Sequence, residues 1–127
     1  MPKNFLVLLG RILIAVIFVA SGFGKLTDIA GTAGYFGSIG LPMPTATSWI
    51  VGLLEFLAGL AVLFGLWTRI AAVALAAFTV GAALVAHLDF ADQMQVINLM
   101  KNLAMAGGLL VLAAHGPGAI SVDSRGG

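Results

Sequence analysis

The chain has no cysteine, which excludes disulfides, thiolate metal sites and any thiol redox chemistry of its own. Charge is scarce as well. Asp, Glu, Lys and Arg together make up 9% of the residues, against about 25% in an average soluble domain. A formal net charge of +1 leaves no basic face to neutralise phosphates, so nucleic acid is not expected as a partner. No glycine-rich phosphate loop leads into a helix, and no nucleophile stands beside a base in a known pattern. Metal ligands are sparse too. His87 and His115 are expected at opposite sides of a membrane, and Asp89 with Asp92 reads as a solvated cap. Neither a metal nor an intrinsic cofactor is expected.

What is abundant is apolar surface. Hydrophobic residues make up 61% of 127 residues, more than a soluble domain this small can bury. Lipid removes that difficulty. Four apolar stretches, residues 4–24, 46–67, 69–87 and 94–115, each approach the roughly 20 residues needed to cross a bilayer core. The first resembles a signal-peptide core with cleavage near Ala20, but three further spans and an internal Arg11 favour an uncleaved helix. The expectation is an all-α, integral membrane four-helix bundle forming a single membrane domain over residues 1–127. A longer, partly helical loop joins the first two spans.

The charge-free runs are shorter than the spans. Residues 12–24, 56–68 and 102–114 would cover only ~20 Å at ~1.5 Å per residue. To cross fully, the helices must carry Arg11, Glu55 and Lys101 into the membrane.

The loop over residues 25–45 contains its own signals. Thr27-Asp28 offers a helix N-cap, residues 29–38 suit a short interfacial helix, and Gly40 can end it. Tyr35, Phe36 and Trp49 suit the headgroup region. Leu41-Pro42-Met43-Pro44 predicts an extended turn. With four spans, both termini lie on the side of the Trp67-Thr68-Arg69 turn, together with Lys3, Arg69 and Arg125. The other side carries Lys25 with Asp28, Asp89 and Asp92. The positive-inside rule then places both termini in the cytoplasm of an inner membrane. Gly52 with Gly59, Ala77 with Gly81, and Ala104 with Gly108 provide small faces for close packing in lipid. They serve packing within the bundle or a homo-oligomer.

An ionisable residue inside a span is a candidate functional group, because its unpaired burial costs several kcal/mol. By depth alone, Arg11 and Lys101 each fall within ~5–8 Å of Glu55, which suggests an intramembrane charge cluster. Such a cluster also serves simply to fix helix registry. Asn98, Lys101 and Asn102 share one helical face at i, i+3 and i+4. His87 and Lys25 are expected at the same end. Together they form a candidate site for a quinone or a lipid, with the competing reading that His87 and Asn98 cap helix ends and Asn102 bonds across the bundle.

The motifs resemble those of the DoxX family. They are Gly10-Arg11, Phe18-x-x-Ser21-Gly22-x-x-Lys25, Gly40-Leu41-Pro42, Glu55-x-x-x-Gly59 with Gly65, His87, and the ending from Gly116-Pro117-Gly118 to Asp123. The resemblance covers essentially the whole chain. It implies a four-helix membrane domain, a link to redox systems in some members, including a quinone-reducing enzyme, and non-enzymatic cargo or assembly roles in distant ones. It singles out Arg11, Lys25, Glu55, His87 and Asn98.

Three functions fit this pattern. A quinone-facing subunit or accessory of a membrane oxidoreductase would need a redox partner protein, because nothing in the chain can hold a metal or flavin. A non-enzymatic assembly, chaperone or trafficking factor would explain the small size and the missing catalytic motifs. A small transporter would require an oligomer, and no broken-helix repeat is evident.

Overall fold

The computed structural model describes residues 2–86 and 90–125. His87 and Asp89, both named above, lie outside them. The described residues form α1 (Lys3–Leu26), α2 (Ile29–Ser38), α3 (Pro44–Phe64), α4 (Thr68–Ala86), α5 (Gln93–His115) and the one-turn α6 (Val122–Arg125). Helices α1, α3, α4 and α5 are long and apolar enough to cross a membrane. Their outward faces are apolar: Ile50, Ile70 and Val111 are all about two-thirds exposed or more. In water such continuous apolar exposure would drive aggregation, whereas in lipid it is the expected surface.

Local chemistry sets the helix ends. Asp28 caps α2, its Oδ1 accepting from Gly31 N at 3.0 Å. Asp92 does the same for α5, accepting from Met94 N at 2.9 Å. Pro44 occupies the first turn of α3, where a missing N–H costs nothing. Helix α3 ends at Gly65, whose φ of 70° closes it in the left-handed conformation. The expected extended turn before α3 is not what forms. Met43 adopts φ 47°, ψ 61°, a left-handed link that lets α3 begin directly at Pro44.

The bundle is built from two helix pairs, α1 on α3 and α4 on α5, with α2 lying against α3. Ala15, Phe18, Val62, Leu75, Ala106 and Leu109 are buried where the pairs meet. Helices α1 and α3 touch backbone to backbone at Gly22, where an added Cβ would collide with Phe56 N and lie 2.8 Å from Gly52 O. Gly52 and Gly59 therefore act as expected, receiving Leu26 and Phe18 of α1. The pair Ala77 and Gly81 does not pack inside the bundle, since both are exposed. Ala104 is exposed too, while Gly108 faces Ile14.

One end of the bundle is tied together by the C-terminal tail. Arg11 is 2% exposed and donates from Nη1 to Pro117 O at 2.9 Å and from Nη2 to Leu63 O at 3.3 Å. Asp123 accepts from Trp67 N at 2.7 Å, from Thr68 N at 2.9 Å and from Thr68 Oγ1 at 2.8 Å. Its own N–H donates to Gly65 O at 2.8 Å. Asn4 Oδ1 accepts from Ala119 N at 3.2 Å. The tail thus fastens the start of α1 to the turn between α3 and α4.

Candidate functional site

The opposite end holds a cavity of about 600 Å³ between the two helix pairs, with α2 along its rim. Its walls are largely apolar, supplied by residues such as Ile17, Phe36, Val51, Phe78 and Val85. Its polar groups are few: Ser21 and Lys25 from α1, Tyr35 from α2, Thr47 and Glu55 from α3, Thr79 from α4 and Asn102 from α5.

Lys25 and Glu55 form the centre of this set. Lys25 Nζ lies 2.6 Å from Glu55 Oε1 and donates to Ser21 Oγ at 2.7 Å. Glu55 is 5% exposed, midway along α3. The contact between the two charges is an ion pair. Thr79 is 2% exposed, and its Oγ1 has no partner among the described residues. Asn102 Nδ2 donates to Thr79 O at 3.3 Å, linking α5 to α4 behind that hydroxyl.

The expected cluster of Arg11, Glu55 and Lys101 does not form. Side chains on a helix lean toward its N-terminus, a direction that depth alone ignores. Arg11 therefore leans away from Glu55, toward the free carbonyls at the end of α3 and in the tail. Lys25, in the last turn of α1, leans back into the bundle. Glu55 leans toward the start of α3, which is the same end, so these two meet. Lys101 is exposed, because the inward stripe of α5 runs through Asn102, Ala106, Leu109 and Leu112.

Of the expected ligand residues, Lys25 and Asn102 line the cavity, while Asn98 is half-buried and does not. Lys101 stands outside the cavity as well. His87 lies outside the described residues. Phe36, expected among headgroups, is instead 7% exposed and packs into the cavity wall, while Tyr35 beside it is half-exposed. Ser21 and Thr79 went unassigned in the reading of the sequence. For Thr79 a signal existed, since it is the single hydroxyl in the otherwise apolar middle of α4. Among the described residues no three His, Cys, Asp or Glu side chains come together in a way that could hold a metal ion.

Chemically, the arrangement is a largely apolar pocket with one neutral ion pair, four hydroxyls and an amide. It can bind an uncharged, lipid-soluble molecule that has one polar end. It can also exchange a proton with that molecule, because a carboxylate and an ammonium stand side by side.

The cavity's Ser21, Lys25 and Glu55 come from the stretch that other proteins share. The chain is 44% identical to the inner membrane protein YqjF of Escherichia coli, over 92% of this chain and 88% of that protein. It is 38% identical to the inner membrane protein YphA of the same organism, over 97% and 91%. With CatD of Bacillus subtilis, provisionally named an oxidoreductase, it shares 37% identity over 69% of this chain and 66% of that one. No solved structure is significantly similar to it. A family model described as DoxX matches residues 6–88, from the first turn of α1 to beyond the end of α4. The chain is an integral membrane protein that belongs to the DoxX family.

Proposed function

We propose that this protein is a quinone-facing subunit or accessory of a membrane oxidoreductase system, and that the quinone headgroup occupies the cavity around Lys25, Glu55 and Thr79. The observation that carries this reading is the largely apolar cavity of about 600 Å³ between the helix pairs, whose few polar groups include the Lys25–Glu55 ion pair and Asn102. The volume lies in the range of small-molecule pockets, and the apolar walls suit a ring and the start of an isoprenoid tail. The oxidoreductase name of CatD supports the redox assignment. With no thiol in the chain, electrons would pass between the ligand and a redox partner protein or a bound substrate. The names of YqjF and YphA favour the inner membrane, and the basic residues favour cytoplasmic termini.

The test is quinone retention. Protein purified from membranes in a mild detergent should carry quinone extractable by organic solvent. Ala82→Phe, which fills the cavity from α4, should carry none while eluting as the same species. Wild-type protein without quinone, accompanied by a stoichiometric membrane-protein partner, would replace this reading with that of an assembly factor.

A further inference from the structure

Lys101 is an ionised side chain within a span that takes no part in the cavity. It stands ~12 Å from the start of α5 at Gln93, and it is exposed. Gly108, two turns further along and so on the same side of α5, lies against Ile14 of α1. Lys101 therefore faces the seam between α5 and α1, on the outer surface of the bundle. No ion-pair partner reaches it among the described residues. The chain has five acidic side chains. Asp28 and Asp92 cap helices, Glu55 pairs with Lys25, and Asp123 is held at the far end by Trp67 and Thr68. The fifth, Asp89, lies outside the described residues.

An ammonium facing lipid is costly unless it reaches the polar layer or meets an anion. A lysine on a helix leans toward the helix N-terminus, with its apolar stem in hydrocarbon and its head at the interface. For Lys101 that direction is the α2 end of the bundle. Helix α3 starts at the same end, and its half-exposed Trp49, ~8 Å in from Pro44, marks the headgroup level there. Asn98, half-buried and one turn closer to that level, shares the Lys101 side of α5. We infer that Lys101 and Asn98 hold the phosphodiester of an anionic phospholipid at the α1–α5 seam. Lys101 supplies the charge and the Asn98 amide a second donor. A zwitterionic phospholipid suits the pair less well, because its own ammonium already neutralises its phosphate. The site stands outside the cavity and does not depend on what the cavity binds.

Thermal unfolding of the full chain in an uncharged detergent tests this, with three probes titrated in turn. They are phosphatidylglycerol, phosphatidylcholine with the same acyl chains, and inorganic phosphate. Phosphatidylglycerol should bind about fivefold more tightly than phosphatidylcholine, the worth of one lysine at a lipid surface. Lys101→Met should remove that preference, and Lys101→Arg should keep it. Lys3→Met, which deletes the same charge at the other end of the bundle, should keep it too. Asn98→Leu should lose part of the preference, and an unchanged value there removes the amide from the site. Equal binding of the two lipids by wild type overturns the inference without any variant having to fold. A preference that survives in Lys101→Met, or falls equally in Lys3→Met, reflects overall charge and overturns the site as well. Inorganic phosphate that stabilises as strongly as phosphatidylglycerol would make the ligand a free anion and overturn the lipid.

Discussion

Asp123 caps α4 from 55 residues away, its carboxylate accepting both the backbone N–H and the hydroxyl of Thr68. The N–H of Trp67 completes the set. An acidic side chain at a helix N-terminus satisfies free donors and faces the positive end of the helix dipole. Burial by itself raises the Asp123 pKa. The hydrogen bonds from Thr68 and Trp67, with the charge of Arg11, outweigh that and hold the carboxyl below its ordinary value.

Asp123→Ala should therefore destabilise the detergent-solubilised protein by about 1 kcal/mol near neutral pH, the usual loss for an N-cap. The sign of the pH dependence follows from the lowered pKa. The stabilisation is complete above the unfolded value of about 4 and disappears as pH falls through the lower folded value. Thermal unfolding of wild type and variant should separate at pH 7 and converge in strong acid. A gap that stays constant with pH would show that the carboxylate charge is irrelevant to the cap.

Removing one member of the ion pair should cost more than removing both. Glu55→Gln leaves Lys25 partly buried without its counter-charge, and a loss of about 1–3 kcal/mol is expected. Adding Lys25→Met to that variant should restore much of it. A double-mutant cycle by thermal unfolding reads the coupling directly. Strict additivity would mean that the two side chains do not interact in the folded protein.

Gly22→Ala should disrupt the α1–α3 crossing, because the new methyl meets the backbone of Phe56 and Gly52, which cannot rotate away. The expected cost is about 1–3 kcal/mol. Gly107→Ala serves as its control, for a Cβ there meets nothing within 4 Å. It should be neutral or slightly stabilising by helix propensity. Comparable damage from both would locate the effect in the helices themselves rather than in their contact.

The absence of native cysteine makes topology easy to measure. With cytoplasmic termini, Ser38→Cys should react with an impermeant maleimide added to intact cells, and Ser124→Cys only after lysis. The reverse pattern would turn the protein over in the membrane.

The fold was legible in the sequence because lipid imposes length and apolarity on every span, and both are countable. The Asp28 cap and the helix at Ile29–Ser38 were readable for a similar reason, since short-range capping chemistry lies in neighbouring residues. The site was legible only in part. Lys25, Glu55 and Asn102 could be named as polar residues in apolar surroundings, but their partners could not be read from depth. Depth gives one coordinate. Which way Arg11 and Lys25 lean, and which side of α5 Lys101 takes, depend on helix direction and rotation. Thr79 illustrates the remaining gap: threonine hydroxyls in spans usually bond their own helix, and only packing reveals one that does not. The Asp123 cap was beyond sequence reasoning altogether, because nothing local connects it to Thr68.

That cap also sets an order of events during synthesis. The residue that completes the first turn of α4 is made only after α4 and α5 have been synthesised. The turn between α3 and α4, the seat of Arg11 and the start of α1 are therefore joined only when the tail arrives. An Asp123 variant should insert normally yet remain longer in a protease-sensitive state.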